Sequence, residues 1–170
     1  LYDYLTEEQR NEIREGIVKL GLNPGMEAYL GTAKINETLT GAYHNRIGWK
    51  EDYSNWSFVC NGGLTVAALA IMDEAETEFC ADIISRAIKS IEYPISVLAP
   101  DGVWDEGTSY WSYAMRWMSY MYESMEHTLG TSYDLYYVPG VPTTGYFPIY
   151  NSGPTGAFNV GDASPDVVNN

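Results

Sequence analysis

Apolar residues recur at helical spacing along most of the chain up to about residue 130, and they predict five helices. Thr6-Glu-Glu-Gln9 is a capping box that opens the first, with Gln9 three residues after the cap. Ile13, Ile17 and Leu20 then share a face, and Gly21 is placed to stop the helix in a left-handed turn. Asn23-Pro24 predicts a short second helix reaching about Gly31, with Asn23 as its cap and proline at its first position. A third helix is predicted over about Asn55 to Asp73, where Leu64, Ala67, Ala68 and Ile71 line one face. Gly62-Gly63 interrupts it at a cost of about 1 kcal/mol per glycine relative to alanine, which implies close approach of another backbone or a ligand. The fourth, about Ala75 to Glu92, carries Phe79, Ile83, Ala87 and Ile91 every four residues, and Ile84 and Ile88 widen the stripe. Pro94 predicts its kink or its end, with a further turn over Ile95 to Ala99 beyond it. The fifth, about Thr108 to Leu129, is apolar nearly all round through Trp111, Ala114, Met115, Trp117, Met118, Met121 and Met125, which predicts burial on most faces.

Between the second and third helices, residues 34–54 hold no sustained period. They contain His44, Arg46, Trp49, Lys50 and Tyr53, and a loop this long inside a compact domain points to function. Beyond Gly130, Pro139, Pro142, Pro148, Pro154 and Pro165 stand among glycines and aromatics and exclude regular helix through much of the segment. The expected fold is all-α: one domain over 1–170, built of antiparallel helical hairpins and ending in a Pro/Gly-rich coil over 130–170. Five helices that each bury one face leave open edges, so the hairpins imply part of a larger ring of helices.

Composition narrows the function. Apolar residues make up 45% of the chain and charged ones 19%, which is the balance of a globular protein. Nine basic residues against 23 acidic ones give a net charge of −14, which argues against nucleic acid and anionic membrane surfaces as partners. No apolar run approaches the ~20 residues that span a bilayer. Cys60 and Cys80 fall at apolar helical positions and read as free buried thiols, with one disulfide between neighbouring helices as the alternative. Two histidines and no Cys-x-x-Cys speak against a metal site, and no cofactor is expected.

The densest chemistry lies in Asp101-Gly-Val-Trp-Asp-Glu-Gly-Thr-Ser-Tyr-Trp-Ser-Tyr113. It joins a turn, two adjacent acids (Asp105 and Glu106) and an aromatic run at the start of a helix. Sugar rings stack on flat aromatic faces, and their oxygens take charged or hydroxyl partners. Three stretches, this one together with Ser54-Asn-Trp-Ser-Phe-Val-Cys-Asn-Gly-Gly63 and Gly153-Pro-Thr-Gly-Ala-Phe-Asn-Val-Gly-Asp-Ala163, resemble the α-helical domain of the heparinase II/III-like and oligo-alginate lyase group of polysaccharide lyases. The resemblance runs in consistent order over roughly residues 10 to 163. It implies an incomplete (α/α) toroid, a secreted or periplasmic setting, an oligosaccharide or polysaccharide partner, and an adjoining β-sandwich domain that this chain does not contain.

The resemblance also implies β-elimination at a uronate. Asn55 matches the family's asparagine, which neutralises the carboxylate, and Tyr110 matches its tyrosine, the acid/base. Trp56 stands where several members carry histidine. Trp56, His44, Arg46, Trp49, Asn61, Glu106, Trp111 and Tyr113 complete the expected substrate contacts. Arg46, Lys50 or Arg116 would supply the positive charge that favours a tyrosinate. Two other readings stay open: a helical-barrel glycosidase using Asp105 and Glu106, and a non-catalytic carbohydrate-binding module. In structural terms Asn55 reads equally as part of a helix cap, and Tyr110 as core packing.

Overall fold

The computed structural model describes residues 2–33, 48–158 and 160–162, so the expectations for His44 and Arg46 lie outside the described residues. The described chain is mostly helical, as the periodicity predicts. In order it runs α1 (Glu7–Ile17), α2 (Asn23–Leu30), α3 (Asn55–Ile71), α4 (Thr77–Ser96), α5 (Thr108–Leu129), a short α6 (Tyr146–Tyr150), and a two-stranded hairpin, β1 (Ser152–Gly153) and β2 (Gly156–Ala157). Ser152 stands opposite Ala157 and Gly153 opposite Gly156.

The capping box at Thr6 forms as read: the Thr6 N–H donates to Gln9 Oε1 at 2.9 Å and the Gln9 N–H to Thr6 Oγ1 at 3.3 Å. Gly21, however, does not stop the helix. Val18–Leu22 forms a wide π-type turn, in which the Asn23 N–H reaches back five residues to the Val18 carbonyl, and the helix continues into α2. The widened register comes just before Pro24, which has no N–H to give to the ordinary helical ladder. Asn23 is therefore no cap, and the helix ends at Gly31 with φ 70°.

α3 is the central helix, with α4 and α5 both packed on it and touching each other little. Phe58, Ala68, Leu69 and Ile71 of α3 meet Ile83, Ile84, Ala87, Ile91 and Ile95 of α4 and Ala114, Met115, Met118, Met121 and Met125 of α5 in one core. Each large side chain fully buried there contributes roughly 1.5–3 kcal/mol. Pro94 does not end α4: the helix runs on to Ser96, into the further turn expected beyond the proline, with Pro94 buried in its last turn. There the proline forfeits one ladder bond near an end where few remain to be made.

α3 and α5 lie parallel. A Cβ on Gly62 would sit 2.7 Å from the Trp117 carbonyl oxygen, so the glycine admits the backbone of α5. At the starts of the same helices, Asn55 hydrogen-bonds Glu106, two residues before α5. The close approach implied by Gly62-Gly63 is thus helix to helix. α5 is not buried all round: Tyr110, Tyr113 and Tyr120 form an exposed side, because a phenol can leave its hydroxyl in water while its ring stem packs.

The Pro/Gly-rich segment is more regular than its prolines suggest. It forms 3₁₀ turns at Leu135–Tyr137 and Val141–Thr143, and Pro148 stands inside α6, where no ladder bond is required of it. The segment is strapped across the α4–α5 connection. Thr144 Oγ1 accepts from the Trp111 indole at 2.8 Å and donates to the Gly102 carbonyl at 2.8 Å. Gly140, at φ 91°, presses against the Leu98 carbonyl with no room for a Cβ. Cys60 and Cys80 are both free thiols.

Candidate functional site

The site begins at the first turn of α3. Ser54 caps it, its Oγ accepting from the Trp56 N–H at 3.4 Å while donating to Asp52 Oδ2 at 2.7 Å. Asn55 follows, only 5% exposed. Its backbone N–H donates to Glu106 Oε2 at 2.9 Å, and its side-chain Nδ2 reaches Oε1 at 3.1 Å and Oε2 at 3.3 Å. A carboxylate accepts and cannot donate, so this contact fixes which end of the Asn55 amide faces Glu106.

Glu106 stands directly before Gly107, whose φ of 90° turns the chain into α5. Burial pushes the Glu106 carboxyl above the usual range; the Asn55 backbone and amide donors pull it back, and the Asp105 charge adds to the rise. Trp104 lies beneath, fully buried and edge-on to Phe58 at 5.5 Å. Its indole N–H favours the charged Glu106, yet it misses hydrogen-bond geometry and has no partner among the described residues. Gly161, at φ 59°, comes down on this loop so closely that a Cβ would meet the Asp105 carbonyl and the Glu106 backbone. All three stretches that carry the resemblance therefore converge here.

Tyr110 completes the arrangement. Gly62 and Trp117 touch across the parallel pair, and they are fifty-five residues apart in sequence, as are Asn55 and Tyr110. Seven residues back along both helices is two turns toward their starts, on nearly the same faces. Asn55 and Tyr110 thus stand at one level at the heads of adjoining helices. Tyr110 is 37% exposed, and its hydroxyl makes no hydrogen bond among the described residues. Tyr113, one turn further along α5, and Trp56, 60% exposed on the first turn of α3, present aromatic surface at the same end. Tyr53 and Tyr93 add a tilted ring pair with centroids 5.0 Å apart.

Other expected contacts lie elsewhere. Asn61 is fully buried: its Nδ2 donates to the Ser57 carbonyl at 2.8 Å and to Ser90 Oγ at 3.0 Å, and its Oδ1 accepts from the Tyr29 hydroxyl at 2.7 Å. It bridges α2, α3 and α4 and has no surface to offer a substrate. Trp111 is half-buried and anchors the C-terminal strap through Thr144. Trp49 is half-buried and packs edge-on to Tyr29 at 5.1 Å, and its carbonyl accepts from Ser57 Oγ. Lys50 donates to the Tyr29 carbonyl at 3.2 Å and faces Glu51 at 3.7 Å, so its charge is already engaged. Arg116 is exposed on α5, and Asp105 is exposed beside Glu106. Burial pushes the Cys60 thiol up to about 11, which leaves it protonated and a poor nucleophile at neutral pH.

Sequence reasoning missed the Asn61 network, Thr144 and Gly161. A serine inside the apolar stripe of α4, Ser90 between Ala87 and Ile91, was the available sign of a buried polar partner. Among the described residues no cluster of His, Cys, Asp and Glu is arranged to hold a metal ion, and no helix is long and apolar enough to cross a membrane. No family model matches the chain, and no curated protein matches it.

Proposed function

We propose that the chain is a polysaccharide-lyase-like domain that performs β-elimination on a uronate-containing oligosaccharide or polysaccharide. The observation that supports this most is the pairing of a buried, oriented amide at Asn55 with an accessible phenol at Tyr110 that has no hydrogen-bond partner among the described residues, at one level of two parallel helices. In this reading the free N–H of the Asn55 amide binds the uronate carboxylate and stabilises the enediolate that develops when C5 loses its proton. Tyr110, as tyrosinate, takes that proton. The C4–O4 bond then breaks, its electrons remain with O4, a C4–C5 double bond forms, and the Tyr110 hydroxyl returns the proton to the departing O4. Trp56 and Tyr113 offer ring faces for neighbouring sugars. The accompanying architecture is an incomplete (α/α) toroid in which α3 and α5 are successive inner helices and α4 is an outer one.

Replacing Tyr110 with Phe tests it. A proton-transfer group contributes about 10²–10⁴ in rate. Tyr110→Phe should lower kcat for unsaturated product, read by its ultraviolet absorbance, by that order with KM little changed; unaltered turnover would remove Tyr110 from the chemistry. The carboxylate glycosidase has one point in its favour, the upward push on Glu106, which suits a proton donor. Its partner acid would be Asp105, and adjacent residues seldom flank a glycosidic bond from opposite sides.

A further inference from the structure

The contact between Glu106 and Asn55 carries more than helix capping requires. A cap satisfies backbone N–H groups, and Glu106 does so for one of them, the Asn55 N–H. It also takes the Asn55 side-chain amide with both of its oxygens. Ser54 already caps α3 through the Trp56 N–H, so the amide contact is not needed to end the helix ladder. An asparagine side chain has two N–H donors and one oxygen, and its orientation is free unless a partner decides it. A carboxylate on one side decides it: one N–H is held inward, the oxygen is turned away from the negative charge, and the second N–H is left for another acceptor. Glu106 is itself held from several sides. Trp104 lies buried beneath it, Gly107 turns tightly after it, and Gly161 closes over its backbone.

We propose that Glu106 is a positioning residue that acts through Asn55, clamping the amide in the one orientation that presents an N–H toward the Tyr110 side of the junction. The proposal rests on the lyase reading for its catalytic consequence, but the clamp itself can be observed without turnover. A glutamate at this place is thereby separated from the role of proton donor that its burial first suggests: its carboxylate acts as an acceptor throughout the reaction and never transfers a proton to the sugar.

The test pairs a spectroscopic arm with a kinetic one, using the intact chain and the variants Glu106→Gln, Asn55→Ala and the double variant. In nuclear magnetic resonance spectra, the Asn55 side-chain amide signals should be distinct and protected from exchange in the parent, and should shift and lose protection in Glu106→Gln while signals from the α3–α5 core stay in place. Asn55 signals that ignore Glu106→Gln overturn the clamp, whether or not the protein is a lyase. With a polyuronate as probe, Glu106→Gln should lower kcat by roughly tenfold to a hundredfold, the scale of a misplaced catalytic contact, and should leave KM nearly unchanged. It should add nothing once Asn55 is alanine. Full multiplication of the two single effects in the double variant overturns action through Asn55, because it gives Glu106 a role of its own. If the parent releases no unsaturated product while the spectroscopic arm succeeds, the lyase reading fails and the clamp stands.

Discussion

Glu106 holds its proton under opposing influences, and the balance makes a prediction about stability. Burial favours the neutral acid more than the Asn55 donors favour the anion, so the folded protein binds this proton more tightly than the unfolded chain does. As pH rises from the ordinary glutamate value of 4.5 through the raised folded value, the unfolded chain releases its proton first. Stability from this group is therefore full below that window and declines as pH climbs through it. Across the window the melting temperature of the parent should fall relative to that of Glu106→Gln. A parent curve parallel to the variant's would mean that the carboxyl is not perturbed in solution. Asn61 makes a second residue-scale case. Removing it in Asn61→Ala strands the buried Tyr29 hydroxyl and should cost about 1–3 kcal/mol by chemical denaturation. An effect near zero would mean that the bridge is not formed.

Among the elements, the parallel packing of α3 on α5 decides most. Gly62 and Gly63 are neighbours in sequence with opposite expectations. A methyl at Gly62 meets the Trp117 carbonyl at 2.7 Å, whereas at Gly63 the nearest described atom is a Trp117 ring carbon at 3.7 Å. Gly62→Ala should destabilise by about 1–3 kcal/mol as the helices are forced apart. Gly63→Ala should be neutral or stabilise by up to about 1 kcal/mol, because the helix gains propensity without a clash. Equal effects at the two positions would contradict the described register. The glycine pair marked a close approach already in the sequence, since glycine weakens an apolar helix and a tightly packed neighbour offsets that loss. Which glycine faces the partner was not legible, because that depends on the relative rotation of two helices. The same limit explains Gly21, where the local signal for a stop was overruled by a π-type turn ahead of Pro24. It explains Pro94 as well, tolerated within the last turn of α4. Tyr110 and Asn55 could be paired by motif order alone, but their common level became visible only through the Gly62–Trp117 contact. Asn61 looked like a surface contact because nothing nearby in sequence names Tyr29 or Ser90 as its partners.

For the molecule as a whole, charge and substrate pull against each other. A net charge of −14 repels a polyuronate, and the charge of Lys50 is already engaged. Mobile ions screen such repulsion over about 8 Å at physiological ionic strength. The rate of association with a polyuronate should therefore rise as salt increases from low to physiological concentration, measured by stopped-flow binding. A rate that falls with salt would mean that a local basic surface outweighs the overall field. The all-helical class was legible from periodicity alone. The strap formed by residues after Gly130 was not, because proline-rich sequence reveals where helices cannot run and says little of what the chain packs against.

Elimination and hydrolysis are separated by the mass of the products formed in heavy-oxygen water. Elimination adds no water, so a uronate oligosaccharide cleaved by this chain should give one fragment lighter by one water than its hydrolytic counterpart and carrying no heavy oxygen. Heavy oxygen at the newly formed end would contradict β-elimination and assign the cleavage to hydrolysis, with Glu106 as the acid.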